Sequence, residues 1–275
     1  MKPSHLLPLA SLATAICHHR TSLYARSGAG TLATRDGGVE VAKFGYDDLA
    51  GPLNWHGLNN QSSKCATGTQ QSPINLNDTS AVLVPGSSLG FDVPNFPHGA
   101  EFENLGSTLE VVAQNGTLAR RGRKFHLRQF HFHTPSEHRV DSEYYPMEVH
   151  FVFEADAEQL KNSTGPSHSV LGFLIEVDNS APSPLLSNVF AHLDEVAEPG
   201  SHAETDKLNF CELKALLARS DGIAWNVVAE PLLIDDVTFR AAKKIMKFNA
   251  RYTQNVPGQR NLLDHSRVVL NSLNP

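Results

Sequence analysis

Cysteine is scarce: Cys17, Cys65 and Cys211 are all the chain has. That excludes a disulfide framework. At most one bridge, Cys65 to Cys211, remains if Cys17 leaves with a targeting segment; two buried free thiols are the alternative. Long hydrophobic runs are absent after the N-terminus, so no later segment reads as a membrane span. Positive charge is not in excess either. The 23 Lys and Arg against 29 Asp and Glu give a formal charge of -6, which argues against nucleic acid as a general partner. Internal repeats and interior Gly/Pro/Ser linkers are missing as well. At 275 residues, 40% hydrophobic and 19% charged, the chain reads as one globular domain with a substantial core.

What is present begins with a targeting pattern. Lys2 precedes an apolar stretch over 6–16, too short to cross a bilayer and suited to a signal-peptide core. Ala13, Ala15 and Ala25 offer cleavage positions. The expectation is a signal peptide over 1–25, a flexible segment over 26–43, a folded domain over 44–275 and a secreted product. Sequons at Asn60, Asn77, Asn115 and Asn162 are compatible with secretion and glycosylation.

Apolar alternation predicts strands over 109–112, 125–133, 147–154, 170–177 and 223–228. Helical spacing is confined to 185–196, 239–248 and a short 211–217. Strands outnumber helices, so the fold class is mainly β.

Histidine is abundant, at 14 residues, and two strands organise it. In Gln129-Phe130-His131-Phe132-His133, side chains alternate faces, so both histidines project together while the phenylalanines point away. In Glu148-Val149-His150 the carboxylate and imidazole share a face, and the stretch 134–146 is long enough to bring the second strand back beside the first. Three neutral imidazoles on neighbouring strands leave a fourth tetrahedral position open, as catalytic zinc requires. Gln129 and Glu148 could accept the imidazoles' other N–H groups. Two histidines on one strand face are more often plain surface, and a cupin-type iron motif using Glu137 is a second metal reading. The segment 146–150 lacks that motif's glycine and spacing.

The stretch 129–152, with His131-Phe132-His133-Thr134-Pro135-Ser136-Glu137-His138, resembles the zinc signature of α-class carbonic anhydrases in their secreted, eukaryotic or fungal-like form. Phe44-Gly45-Tyr46, Gly51-Pro52-Leu53-Asn54-Trp55, Cys65, Gln71-Ser72-Pro73-Ile74-Asn75, Val170-Leu171-Gly172 and Gly222-Ile223-Ala224-Trp225 match further family elements in order. The resemblance implies a single domain with a large, twisted, mostly antiparallel central sheet and a few short helices. It implies zinc on His131, His133 and His150, with Gln129 and Glu148 behind them. Reversible hydration of carbon dioxide to bicarbonate and a proton would follow, with Glu137 and Tyr46 in the active-site hydrogen-bond network. Val152, Val170 and Trp225 would line the substrate pocket. Protein partners are not implied.

Two departures from the family pattern stand out. Asn104-Leu105-Gly106-Ser107 carries serine where fast members carry a proton-shuttling histidine, and serine cannot buffer near neutral pH. Leu216-Leu217-Ala218-Arg219 runs almost directly into Ser220-Asp221-Gly222, so the family's Thr-Thr-Pro-Pro loop is missing. That gap amounts to about 15 residues, a strand and its loop. It removes the threonine that would donate to Glu137 and orient the zinc hydroxide, and the family's partner for Cys65, and it reads as a skipped exon or misplaced splice site. A non-catalytic zinc- or partner-binding module of the same fold is therefore the alternative function.

Other conspicuous residues are assigned no chemistry. Strand parity puts His126 opposite His131, and His138 lies beyond Pro135, so neither reads as a ligand. Arg120-Arg121-Gly122-Arg123-Lys124 reads as a solvated turn, and Asp235-Asp236 as the charged start of a helix.

Overall fold

The computed structural model describes residues 39–273, apart from 79, 81, 82, 114, 162–164, 221, 222 and 225. Ten strands form one sheet. Its spatial order is His202–Glu204, Glu101–Asn104, Leu109–Val112, Arg123–His133, Met147–Ala155, His168–Val177, Val227–Ile234 and Ile223–Ala224. Gly90–Asp92 joins through Thr117–Arg120, which pairs with Arg123–His133. Among the described residues, every pairing within this sheet is antiparallel except His168–Val177 with Val227–Ile234. The chain is thus mainly β, as its alternating apolar pattern implies.

The sheet's two faces do different work. Phe130, Phe132, Phe151, Phe153 and Phe173 are essentially inaccessible and form one core with the helices Pro184–Val189 and Cys211–Arg219. Phe130 stacks on Phe151 at 4.7 Å, and Phe173 meets Phe151 edge-on at 5.7 Å. Full burial of side chains this size stabilises by about 1.5–3 kcal/mol each. The aromatic backs of the two histidine strands are therefore their anchor, leaving the other face for chemistry. On that face one cross-strand row runs Glu110, His131, His150, Gly172.

The predicted strands over 109–112, 125–133, 147–154 and 170–177 are present, three of them slightly extended. The strand expected over 223–228 is two strands. Asn226 adopts φ 62°, and the chain reverses so that Ile223 pairs with Val228. Asparagine tolerates this left-handed conformation, which ends a strand. The helix expected over 185–196 is Pro184–Val189 followed by a 3-10 turn, Phe190–His192. A C-terminal helix, Leu262–Leu273, was not anticipated.

Three further expectations meet the structure. Cys211 is an exposed free thiol, so the Cys65–Cys211 bridge is not formed; Cys65 is instead fully buried beside Trp55. The parity argument for His126 fails, because the register shifts between Leu127 and Gln129 and leaves Arg128 as an extra residue. Phe125 and Leu127 join Phe130 and Phe132 in the core, so His126 falls on the side of His131. His126 Nε2 nonetheless lies 2.8 Å from Asp156 Oδ1, away from the ligand set. At the end of the segment expected to be flexible, Val39 and Ala42 donate backbone hydrogen bonds to Gly200 and Leu105. Among the described residues no helix is long and apolar enough to cross a membrane.

Candidate metal centre

Each of the three histidines has one ring nitrogen committed to the protein. His131 Nδ1 is 2.8 Å from Gln129 Oε1, and His133 Nδ1 is 2.8 Å from the main-chain oxygen of Asn249. His150 Nε2 is 2.9 Å from Glu148 Oε1. Each acceptor can only receive, so these nitrogens carry the protons. That leaves His131 Nε2, His133 Nε2 and His150 Nδ1 as the lone-pair atoms. The three residues hold ligand atoms within 4.8 Å of one another, and His133 Nε2 is buried without a hydrogen-bond partner. Three convergent, proton-free imidazole nitrogens, one of them orphaned, fit a divalent zinc ion.

Electrostatics favour the neutral, ligating form for two of the three rings. Burial and the neighbouring imidazoles hold His131 well below the usual histidine range, and burial also lowers His133. Burial pushes His150 down, but the Glu148 carboxylate more than offsets it and raises that ring. Glu148 itself is fully buried; its charge is kept by His138 and His150, which together outweigh desolvation and hold it well below the usual carboxylate range. His138 Nδ1 is 2.7 Å from Glu148 Oε1, and His138 Nε2 is 3.2 Å from Ser72 Oγ. Glu148 Oε1 serves both rings, so His138, Glu148 and His150 form a hydrogen-bond chain rather than a second metal set.

Glu137 sits at the edge of the centre. Its Oε1 accepts the Arg251 backbone N–H at 2.9 Å, while Oε2 lies 3.7 Å from His133 Nε2 and 3.9 Å from His150 Nδ1. Among the described residues no hydroxyl donates to this carboxylate. Tyr46 lies in an aromatic cluster with Phe44 and Trp55, and burial, then the Glu137 charge, raises its phenol well above the usual range. Val152 and Val170 are directly paired across strands, both half-buried, on the same face and two residues along from the His150–Gly172 pair. Trp225 lies outside the described residues. Sequence reasoning missed Asn249 and Arg251, which have no motif and reach the site from more than 110 residues away.

Fold and donor set define a mainly β protein whose central sheet carries three convergent imidazoles that could hold a metal ion. Comparison with known proteins supplies the family. The eukaryotic-type carbonic anhydrase family matches residues 50–270. The structure of an α carbonic anhydrase from Aspergillus oryzae superposes with a TM-score of 0.74 and 37% identity, covering 82% of this chain and 98% of that one. An α-carbonic anhydrase from Thermovibrio ammonificans, solved with sulfanilamide, gives a TM-score of 0.63 and 28% identity, covering 79% and 97%. A Neisseria gonorrhoeae carbonic anhydrase is 36% identical over 111 residues, 40% of this chain and 42% of that protein. The chain belongs to the eukaryotic-type carbonic anhydrases, and hydration of carbon dioxide is the activity that family and relatives support.

Proposed function

We propose that this chain is a secreted, zinc-dependent carbonate dehydratase acting on carbon dioxide and bicarbonate. The observation that carries the reading is the arrangement of three imidazoles with their outer nitrogens fixed by Gln129, Asn249 and Glu148 and their inner nitrogens converging. Zinc held by His131, His133 and His150 would supply the Lewis acidity that lowers a water's pKa to roughly 7. Glu137 Oε2 faces the two inner nitrogens and can accept a hydrogen bond from water there, fixing its orientation. Val152 and Val170 offer an apolar wall for a substrate without charge. Water adds to the carbon of carbon dioxide, giving bicarbonate and releasing one proton. Ser107 cannot carry that proton, so it passes to buffer.

The secretory reading comes with it: a signal peptide over 1–25, a linker to residue 43 and a catalytic domain beyond. Asn60 and Asn115 are exposed and suit glycosylation. The second reading, a zinc-holding or partner-binding module without turnover, is favoured by one observation: among the described residues Glu137 receives no hydroxyl, as expected if the threonine loop is missing between Arg219 and Ser220. Sequencing the transcript across that join decides whether the loop was lost from the gene product.

Stopped-flow hydration on zinc-quantified protein tests the main reading. Turnover proportional to one bound zinc and lost in His131→Ala supports the dehydratase. A folded, zinc-loaded chain without turnover supports the module.

A further inference from the structure

We propose that Arg251 is a positioning residue for the metal centre: its buried side chain fixes a three-residue backbone bracket that orients both His133 and Glu137. The inference rests on the reading of His133 as a metal ligand.

The bracket is 249–251. Its first residue offers a carbonyl to His133 Nδ1 at 2.8 Å, and its last offers an N–H to Glu137 Oε1 at 2.9 Å. This segment is neither helix nor strand, and apart from the Asn249 N–H donating to the Thr134 carbonyl at 3.1 Å and the Arg251 N–H donating to Glu137, side chains hold it. The near end is pinned by the Asn249 side chain. Its Nδ2 donates to the carbonyls of Phe132 and Ser107, and its Oδ1 accepts from the Thr134 N–H. Those contacts fix Asn249 against the histidine strand but leave the Arg251 end free to swing.

The guanidinium supplies the second anchor. Nη1 donates to the Ser72 carbonyl at 2.8 Å, and Nη2 donates to Gln71 Oε1 at 2.9 Å. The group also lies 5.5 Å from the Trp55 ring centre. Arg251 is 3% exposed, and Gln71 is equally buried and tied in turn to the Lys64 carbonyl. Burying a cation is costly, and although Nε finds no partner among the described residues, the two Nη groups of a planar fork meet these acceptors as an ammonium cannot. An arginine serving only to close the surface would not need this burial. Burial lowers the guanidinium from its ordinary value, and Tyr252, Glu137 and Tyr46 oppose that shift without cancelling it. Outer partners of metal ligands typically change affinity 10- to 100-fold when lost. Arg251 acts one layer further out, so the lower end applies.

The test measures cobalt(II) affinity by chelator competition, with the visible spectrum of the bound ion, on the full chain. Arg251→Lys should weaken cobalt about tenfold and shift the spectrum. Gln71→Ala, which touches the centre only through Arg251, should weaken it less. The double variant should lose no more than Arg251→Lys alone, as residues acting through one path do. Leu213→Ala, a buried core position remote from the bracket, should lower Tm while leaving affinity and spectrum unchanged. Should Arg251→Lys not fold, Gln71→Ala decides. Variants that lose Tm but bind cobalt within about twofold of wild type would overturn the inference and leave the metal reading standing. A wild-type chain that takes up no cobalt overturns both.

Discussion

Glu148 Oε1 lies 2.9 Å from His150 Nε2, and this contact selects Nδ1 as the nitrogen His150 turns toward the site. The same carboxylate accepts from His138 Nδ1 and from the backbone N–H groups of Glu137 and His138. One buried side chain therefore holds the His150 ring and the loop that carries Glu137. Glu148→Gln should lower zinc affinity about 10- to 100-fold. Glu148→Ala should in addition destabilise the fold by about 3–5 kcal/mol, because it strips a buried charge network of its centre. Chelator competition and urea unfolding measure the two effects.

Gly172 is required by the same carboxylate. A Cβ built there would stand 2.9 Å from Glu148 Oε1 and 3.5 Å from His150 Cδ2. Gly172→Ala should displace Glu148, weaken zinc and cut turnover while leaving the aromatic core intact. Zinc titration alongside near-ultraviolet circular dichroism separates these effects.

Proton export should limit turnover. Ser107 is 5% exposed and cannot titrate near neutral pH. Raising imidazole buffer at constant ionic strength and pH should therefore increase the hydration rate toward a plateau. A rate independent of buffer concentration would show that protons leave by another route.

Asp235 caps the helix Asp236–Met246 by accepting the Thr238 N–H at 2.9 Å, and this bond lowers its pKa. Asp235→Ala should cost about 1 kcal/mol at neutral pH. A carboxylate with a depressed folded pKa stabilises above its unfolded pKa, near 3.9, and loses that contribution as pH falls through the folded value. The gap between wild type and variant in urea unfolding should thus be full at pH 7 and shrink in acid below pH about 4.

Phe151 stands at the centre of the aromatic core, touching Phe130, Phe173, Phe91 and Phe210. Phe151→Ala should destabilise by about 3–5 kcal/mol. Its neighbour His150 rides on the same strand, so zinc affinity should fall too.

Much of the site was legible because strand geometry is local. A period of two residues places His131 with His133, and Glu148 with His150, whatever the rest of the chain does. The aromatic residues between them mark the opposite face for burial. That same rule misplaced His126, since the register shift at Arg128 arises from pairing with another strand. It also joined 223–228 into one strand, where the positive φ of Asn226 makes a turn.

The sequence by itself determined which residues could ligate and which faces they share, because alternation is written in consecutive side chains. Only the tertiary structure decided which nitrogen of each ring points inward. For His133 that choice depends on an acceptor from elsewhere, the Asn249 carbonyl, and the Arg251 N–H from the same segment donates to Glu137 and steadies it. Main-chain groups carry no residue-type signal, so nothing in the sequence marks them. They act here because folding the sheet brings 249–251 against the histidine strand, and a buried guanidinium holds the segment there.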